Sequence, residues 1–264
     1  MRYRYLFALT VTAVALAACG SKGKSLVTDS PTAPTTAPSP AETSPSPRPT
    51  DQLPPYNPTI DPANFTDQVT NAYFPLAPGR VYIYEGNRDG VPRRAEVTVT
   101  AETKMILGVK CVVVRDVVTT NNALVEKTTD WYAQDKDGNV WYFGEDTAEY
   151  TNGAVSSTAG TWLAGVDGAL PGIVMEAHPK VGDAYRQEYR PGVAEDFAKV
   201  TQIEGSSAWP TGSYSHIVVT EDTDLLDASK LELKSYAPGI GYLGSEGIVN
   251  GHHEVVKLTQ ILNG

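Results

Sequence analysis

From about residue 80 to the C-terminus, apolar positions recur every second residue. Glu96-Val97-Thr98-Val99-Thr100 alternates polar and apolar, and Lys230-Leu231-Glu232-Leu233-Lys234 does so more cleanly. A period of two is the signature of a strand with one buried face. Val81 to Glu85, Lys110 to Val118, Tyr185 to Tyr189, His216 to Thr220 and Glu254 to Leu262 are rich in β-branched and aromatic residues, which suit a pleated surface. Turn dipeptides separate them: Asp89-Gly90, Leu107-Gly108, Asp137-Gly138, Asn152-Gly153, Asp167-Gly168 and Asn250-Gly251. One short N-terminal helix is predicted over residues 62–69. About ten to thirteen short antiparallel strands at this spacing predict an all-β domain: a barrel, half-barrel or sandwich.

The N-terminus breaks this pattern. Arg2 and Arg4 precede Leu6 to Ala18, an uncharged and mostly apolar run of thirteen residues. A helix needs about 20 such residues to span the hydrocarbon core, so the run reads as the h-region of an export signal. It ends in Leu16-Ala17-Ala18-Cys19-Gly20, which resembles the lipobox of bacterial lipoproteins. That resemblance implies a signal peptide over residues 1–18 and a diacylglycerol-modified, palmitate-bearing Cys19. It places the protein at the outer face of the cell membrane, with the lipid bilayer as its first partner. Acyl chains add about 0.8 kcal/mol per buried methylene, and two or more chains anchor stably. Cys111 then remains as the one free thiol. It lies in an apolar strand-like run, with no histidine within sixty residues, and reads as a buried, inert cysteine.

Between Cys19 and Pro62 the composition changes. Eleven of the nineteen prolines fall between Pro31 and Pro62, interleaved with Ser, Thr and Ala. So few large apolar side chains cannot offset chain entropy, which predicts a disordered tether over 19–62. Its typical end-to-end distance would be about 35 Å. The globular domain is expected over 63–264, long enough to bury roughly 70% of its unfolded surface. It carries 16 basic and 27 acidic residues, against −10 for the whole chain. That balance lacks the cationic footprint for nucleic acid or for anionic head groups. Two cysteines in all exclude a disulfide framework and a Cys-rich zinc site.

Three stretches carry candidate chemistry. Asp130 to Thr147 reads as a hairpin turning at Asp135-Lys136-Asp137-Gly138. With Gln134 opposite Asn139, Tyr132 would face Trp141 and Trp131 would face Tyr142. These pairs lie on opposite faces, so the hairpin is either covered on both sides or lines a binding surface with one aromatic face. Asp135, Asp137 and Asn139 also match the first ligands of a calcium loop, but Gly138 stands at the fourth position rather than the sixth.

Gly160 to Val200 is dense in Gly and Pro and punctuated by Trp162, His178, Glu188, Glu195 and Asp196. Loops of this kind commonly carry sites. Glu195 and Asp196 should diverge as strand neighbours, and Glu188 alternates with aromatic residues as a water-facing side chain would. His252 and His253 resemble a metal motif but also diverge on a strand; a third ligand such as His178 or His216 would have to come from afar. Hydrolase elbows, zincin motifs and phosphate loops are missing, and no cofactor is expected.

The stretches YFPLAPGRVYIYEG, DWYAQDKDGNVWYFGE, DGALPGIVM with RQEYRPGVAED, and YAPGIGYLGSEG resemble a group of secreted, mainly actinobacterial lipoproteins with a β-rich domain. The resemblance covers most of the chain from Tyr73 onward and transfers no catalytic residue. At the level of fold alone, Tyr236 to Tyr242 is similar to the last strands of half-barrel lipoprotein carriers, and fold does not imply function.

The leading expectation is a non-catalytic binding or interaction lipoprotein. Trp131, Tyr132, Trp141, Tyr142 and Trp162 are its contact residues, and a small molecule, glycan or protein its partner. The first alternative is a secreted hydrolase or isomerase using Asp130, Glu145, Glu188 and Glu195, with carboxyl pKa values raised by an apolar site. The second is a metal carrier using Asp135, Asp137, Asn139, His178 or His252.

Overall fold

A computed structural model describes residues 55–249 and 251–263. The export signal, Cys19 and the tether up to residue 54 lie outside them. The helix expected over 62–69 is one 3-10 turn, Pro62–Asn64, opened by the Asp61 carboxylate accepting the Ala63 N–H at 3.0 Å. The packed chain begins ahead of Ala63: the Tyr56 hydroxyl donates to the Pro171 carbonyl at 2.8 Å.

Every described strand pairing is antiparallel. The long strands of the first half are β1 (Arg80–Arg88), β2 (Val91–Ile106), β3 (Val109–Thr120), β4 (Ala123–Gln134) and β5 (Val140–Thr151). Short pieces follow: β6 (Ala154–Ser157), β7 (Trp162–Leu163), β8 (Leu170–Met175), β9 (Ala184–Arg186) and β10 (Glu188–Tyr189). The second half is a meander of β11 (Asp196–Trp209), β12 (Gly212–Asp224), β13 (Asp227–Ala237), β14 (Gly241–Val249) and β15 (His252–Asn263).

The spatial order is β10-β8-β5-β4-β3-β2-β1-β15-β14-β13-β12-β11-β9, with β6 and β7 beside β5. The two ends of this path, β10 and β9, are parted in sequence by Gln187 alone. One stretch, 184–189, therefore bonds β11 through its first half and β8 through its second. The Gln187 N–H continues the ladder to the Asp196 carbonyl at 2.9 Å. The sheet thus curls back on itself, and the stretch covers the edge of β11 at Phe197–Lys199 and of β8 at residues 170–171, shortening the edges that a long meander would otherwise expose.

The aromatic hairpin is displaced by one residue from the expected register. Asp135 and Asn139 are joined through the backbone, Gln134 pairs with Val140, Ala133 with Trp141 and Tyr132 with Tyr142. A bulge between Trp131 and Tyr132 shifts the register by one more residue, so that Trp131 pairs with Gly144. Both faces of this hairpin are covered. Inside, Tyr132 stacks on Tyr142 at 4.7 Å, and Phe74 meets Tyr132 at 5.3 Å. Outside, Phe65 packs edge-on to Trp141 and Phe143, at 6.3 and 5.6 Å. Asn71 pins this N-terminal segment by donating to the Gly138 and Glu176 carbonyls, at 2.9 and 3.1 Å.

No helix among the described residues is long and apolar enough to cross a membrane.

Candidate functional site

The inside of the rolled sheet carries an unusual load of charge. Arg88 of β1 and Arg93 of β2 approach Glu254 of β15 at 2.6 and 3.5 Å. Lys230 meets Asp196 at 2.5 Å, and Lys234 meets Asp222 and Glu232 at 2.9 and 3.7 Å. All of these side chains are buried. Pairing is what makes such burial tolerable; each ion alone would cost several kcal/mol.

The wall formed by β3, β4, β5 and β10 is acidic instead. Asp116, Glu126, Asp130, Glu145 and Glu188 are at most 1% exposed. Burial first, then the Glu126 charge, pushes the Asp116 carboxyl well above the usual carboxylate range, against the pull of Arg93. Asp130 moves the same way through burial, with Asp116, Glu188 and Glu126 adding to it; the Tyr142 hydroxyl, donating to its Oδ1 at 2.5 Å, opposes the shift.

Three of the four acidic residues singled out from sequence, Asp130, Glu145 and Glu188, therefore share one buried neighbourhood. Asp130 and Glu145 are direct cross-strand partners. Glu188 does not face water as its alternation suggested; it is fully buried at the start of β10. Glu195 stands apart, accepting the Gly192 N–H at 2.9 Å and facing Arg186 at 3.6 Å. Its neighbour Asp196 turns to Lys230, so the two diverge as strand geometry requires.

The five expected contact aromatics serve packing in this structure. Trp131, Tyr132, Tyr142 and Trp162 are buried and Trp141 half-buried. Lys104 lies over the Trp131 ring at 3.4 Å, and Trp162 meets Tyr142 edge-on at 5.3 Å. At the apolar end of the interior, the void lined by Phe74, Leu76, Tyr82, Tyr84 and Tyr242 measures about 20 Å³, room for one water.

The metal candidates are dispersed. Asp135 accepts the Asn139 N–H at 2.8 Å, the Asn139 side-chain amide at 3.0 Å and the Trp141 indole N–H at 2.8 Å. Asn139 in turn accepts the Ala177 N–H at 2.9 Å. His252 meets Asp89 at 2.5 Å, whereas His253 meets Glu246 at 3.3 Å; His178 is exposed on another loop. Among the described residues no three His, Cys, Asp or Glu side chains converge to hold a metal ion.

A second site lies on the outer face, and sequence reasoning passed over it. β11 and β12 stay paired out to Trp209 and Gly212, but β12 leaves β13 beyond Val218. Successive register shifts between Val200 and Ser206 bend the hairpin away from the sheet. Glu204 and His216, both with positive φ (61° and 56°), form a side-chain pair across this bend. The free end reaches back toward β15, and the Trp209 ring comes to rest against Gly244 of β14.

Under the hairpin is a groove of about 370 Å³, within the size range of small-ligand sites. Val219, Leu233 and Val255 supply its apolar floor, and Trp209 with Ala208 its roof. Gln202, Ser207, Ser235, Ser245, Glu246 and Lys257 supply polar groups around them. Trp209 is half-buried; its indole N–H is itself buried and has no acceptor among the described residues. The available signal was one Trp in an otherwise small and polar hairpin, Gly205-Ser-Ser-Ala-Trp-Pro-Thr-Gly-Ser213.

No family model and no curated protein matches this chain. Among solved structures, a proposed lipoprotein from Parabacteroides distasonis is similar at 13% identity with a TM-score of 0.39, over 74% of this chain and 100% of that one. A likeness at that level carries neither topology nor function across.

Proposed function

We propose that this protein is a lipid-anchored, extracytoplasmic binding module, held at the outer face of the cell membrane through acylated Cys19 and non-catalytic. The observation that supports this reading best is the position of the two sites. The groove beneath Trp209 opens on the outer face with a mixed lining, whereas the carboxylates suited to acid-base work are buried inside the curled sheet. A ligand reaches the first without disturbing the fold; a substrate reaches the second only if strands part. The lipobox and the proline-rich tether suit a domain that works at a distance from its membrane.

Two measurements test the reading. Palmitate labelling in a bacterial host should mark the wild type and be lost in Cys19→Ser, along with membrane retention. Native mass spectrometry of gently purified protein should show a bound mass that dissociates as the groove is blocked. An unlabelled wild type would remove the anchor, and a bound mass insensitive to groove substitutions would remove the site.

A second reading, a carboxylate-dependent hydrolase or isomerase, draws on the convergence of Asp130, Glu145 and Glu188 around Tyr142. It requires that Asp130→Asn and Glu188→Gln abolish an activity without unfolding the barrel.

A further inference from the structure

We infer that the groove beneath Trp209 takes a neutral saccharide; this rests on the reading of that groove as the ligand site. The argument is one of lining chemistry. The floor and roof are apolar side chains: Val219, Leu233, Val255, Ala208 and the half-buried indole of Trp209. Around them stand an amide (Gln202), three hydroxyls (Ser207, Ser235 and Ser245), a carboxylate (Glu246) and an ammonium (Lys257). An acyl chain would leave these polar groups desolvated and unpaired. A phosphate or sulfate would want several cations, and here one lysine is offset by one glutamate. A pyranose fits both halves of the lining. Its ring C–H groups form an apolar face, and its hydroxyls each donate and accept. Gln202, the serines and Glu246 can satisfy such hydroxyls.

The surrounding backbone suits this role. Gly244 leaves the space that the Trp209 ring occupies: a Cβ there would stand 3.0 Å from its Cζ3. The ring is thereby held low over β14 and β15, forming a rigid wall of the groove. Aromatic walls of this kind offer contact area at small entropic cost. The exposed Leu231 and Ile248, cross-strand partners on the same sheet face, extend the apolar strip beyond Leu233 and would carry a second sugar ring.

The test uses the full lipidated chain in nanodiscs, titrated with maltotetraose, cellotetraose, mannotetraose and chitotetraose, and separately with anilinonaphthalene sulfonate. Binding is read by tryptophan fluorescence and by calorimetry. At least one tetrasaccharide should bind saturably. Trp209→Ala and Ser235→Trp should each weaken it at least tenfold, and Glu246→Gln by about tenfold. Ser235→Trp fills the groove from a partly exposed position, so it tests the site even if Trp209→Ala loosens the hairpin. If no tetrasaccharide binds but the sulfonate dye does, and Ser235→Trp displaces it, the groove is a ligand site and the saccharide class is overturned. If neither probe responds to Ser235→Trp, the groove reading itself falls.

Discussion

Trp209 and Gly244 are joined by a missing side chain. A Cβ on Gly244 would stand 3.0 Å from the Trp209 ring, 2.1 Å from the Val256 carbonyl oxygen and 2.9 Å from the Lys257 Cα. Its φ of 142° is also one that other residues rarely adopt. Gly244→Ala therefore strains the β14–β15 ladder and lifts the hairpin together. We expect a loss of about 1–3 kcal/mol in denaturant unfolding, with a red-shifted and more quenchable Trp209 emission. A Gly244→Ala protein with wild-type stability and emission would show that the ring does not seat there.

The buried carboxyls give the fold an inverted pH response. Burial, then the charges of Asp196 and Asp227, raises Asp224 to about 7, with Lys230 and the Leu226 N–H opposing. The unfolded chain releases this proton near pH 4. Between about pH 4 and 7 the folded state thus holds more protons than the unfolded state, so stability falls as pH rises and levels off above 7. Asp116, Asp130 and Glu232, all raised mainly by burial, push in the same direction. We expect the urea midpoint to increase from pH 7.5 to 5. Asp224→Asn keeps the oxygen that accepts the Leu226 N–H at 2.7 Å and should flatten part of the slope. A midpoint that falls on acidification would show that these carboxyls are ionised in the fold.

Alternation alone was enough to announce strands such as Val97–Val99 and Leu231–Leu233, although in the second it named the wrong face, since Lys230, Glu232 and Lys234 are buried and Leu231 and Leu233 exposed. It could not say which face is core where both are covered. In Asp130-Trp131-Tyr132 all three are buried, with Lys104 lying over the Trp131 ring. The register slipped at the turn, where Asp135 rather than Gln134 lies opposite Asn139; the bulge between Trp131 and Tyr132 then adds a second shift, and neither leaves a trace in the polar pattern. Asp130, Glu145 and Glu188 could be picked as candidates by type. Their meeting depends on Glu188 returning from 43 residues away to close the ring, a long-range pairing that no local signal encodes. The groove was illegible because its parts, Trp209, Ser235, Glu246 and Lys257, come from four strands, and the bend that assembles them is a run of register shifts.

Cys111 should be silent in the native protein. It is fully buried, and burial pushes its thiol up to about 12, against a small pull from Lys104. The thiolate is the reacting species, so a thiol reagent at pH 8 should label almost no protein when native and one site per chain in denaturant when Cys19 is acylated. Rapid native labelling would mean that the β2–β3 wall opens.

The Asp135 carboxylate does the work of a turn brace. It satisfies two donors of Asn139 and the indole N–H of Trp141. Asp135→Ala leaves these groups without their acceptor and should cost about 1–3 kcal/mol. Asp135→Asn, which keeps one acceptor oxygen, should cost less. Because both oxygens are already engaged, adding calcium should leave the wild-type melting temperature unchanged. A calcium-dependent rise abolished by Asp135→Asn would make the turn a cation site after all.

The closure of the ring rests on Gly172 of β8. A Cβ there would fall 2.2 Å from the Gln187 carbonyl oxygen and 2.4 Å from its carbon. Both are backbone atoms, so no rotamer change can relieve the overlap. Gly172 also pairs with Tyr142 on its other side, while Pro171 pairs with Glu188, so β8 cannot shift without loosening β5. Gly172→Ala must therefore push the 184–189 stretch off β8 and open the seam beside the acidic wall. Hydrogen exchange should locate the damage: faster exchange at Gln187 and in β10, with β1, β2 and β15 on the far side protected as before. Water entering the seam would also relieve the burial that raises Asp130, so the acid-stabilised slope should become shallower in the same variant. Unchanged protection at Gln187 would mean that the sheet does not close through this stretch, and that the acidic wall is reached by some other route.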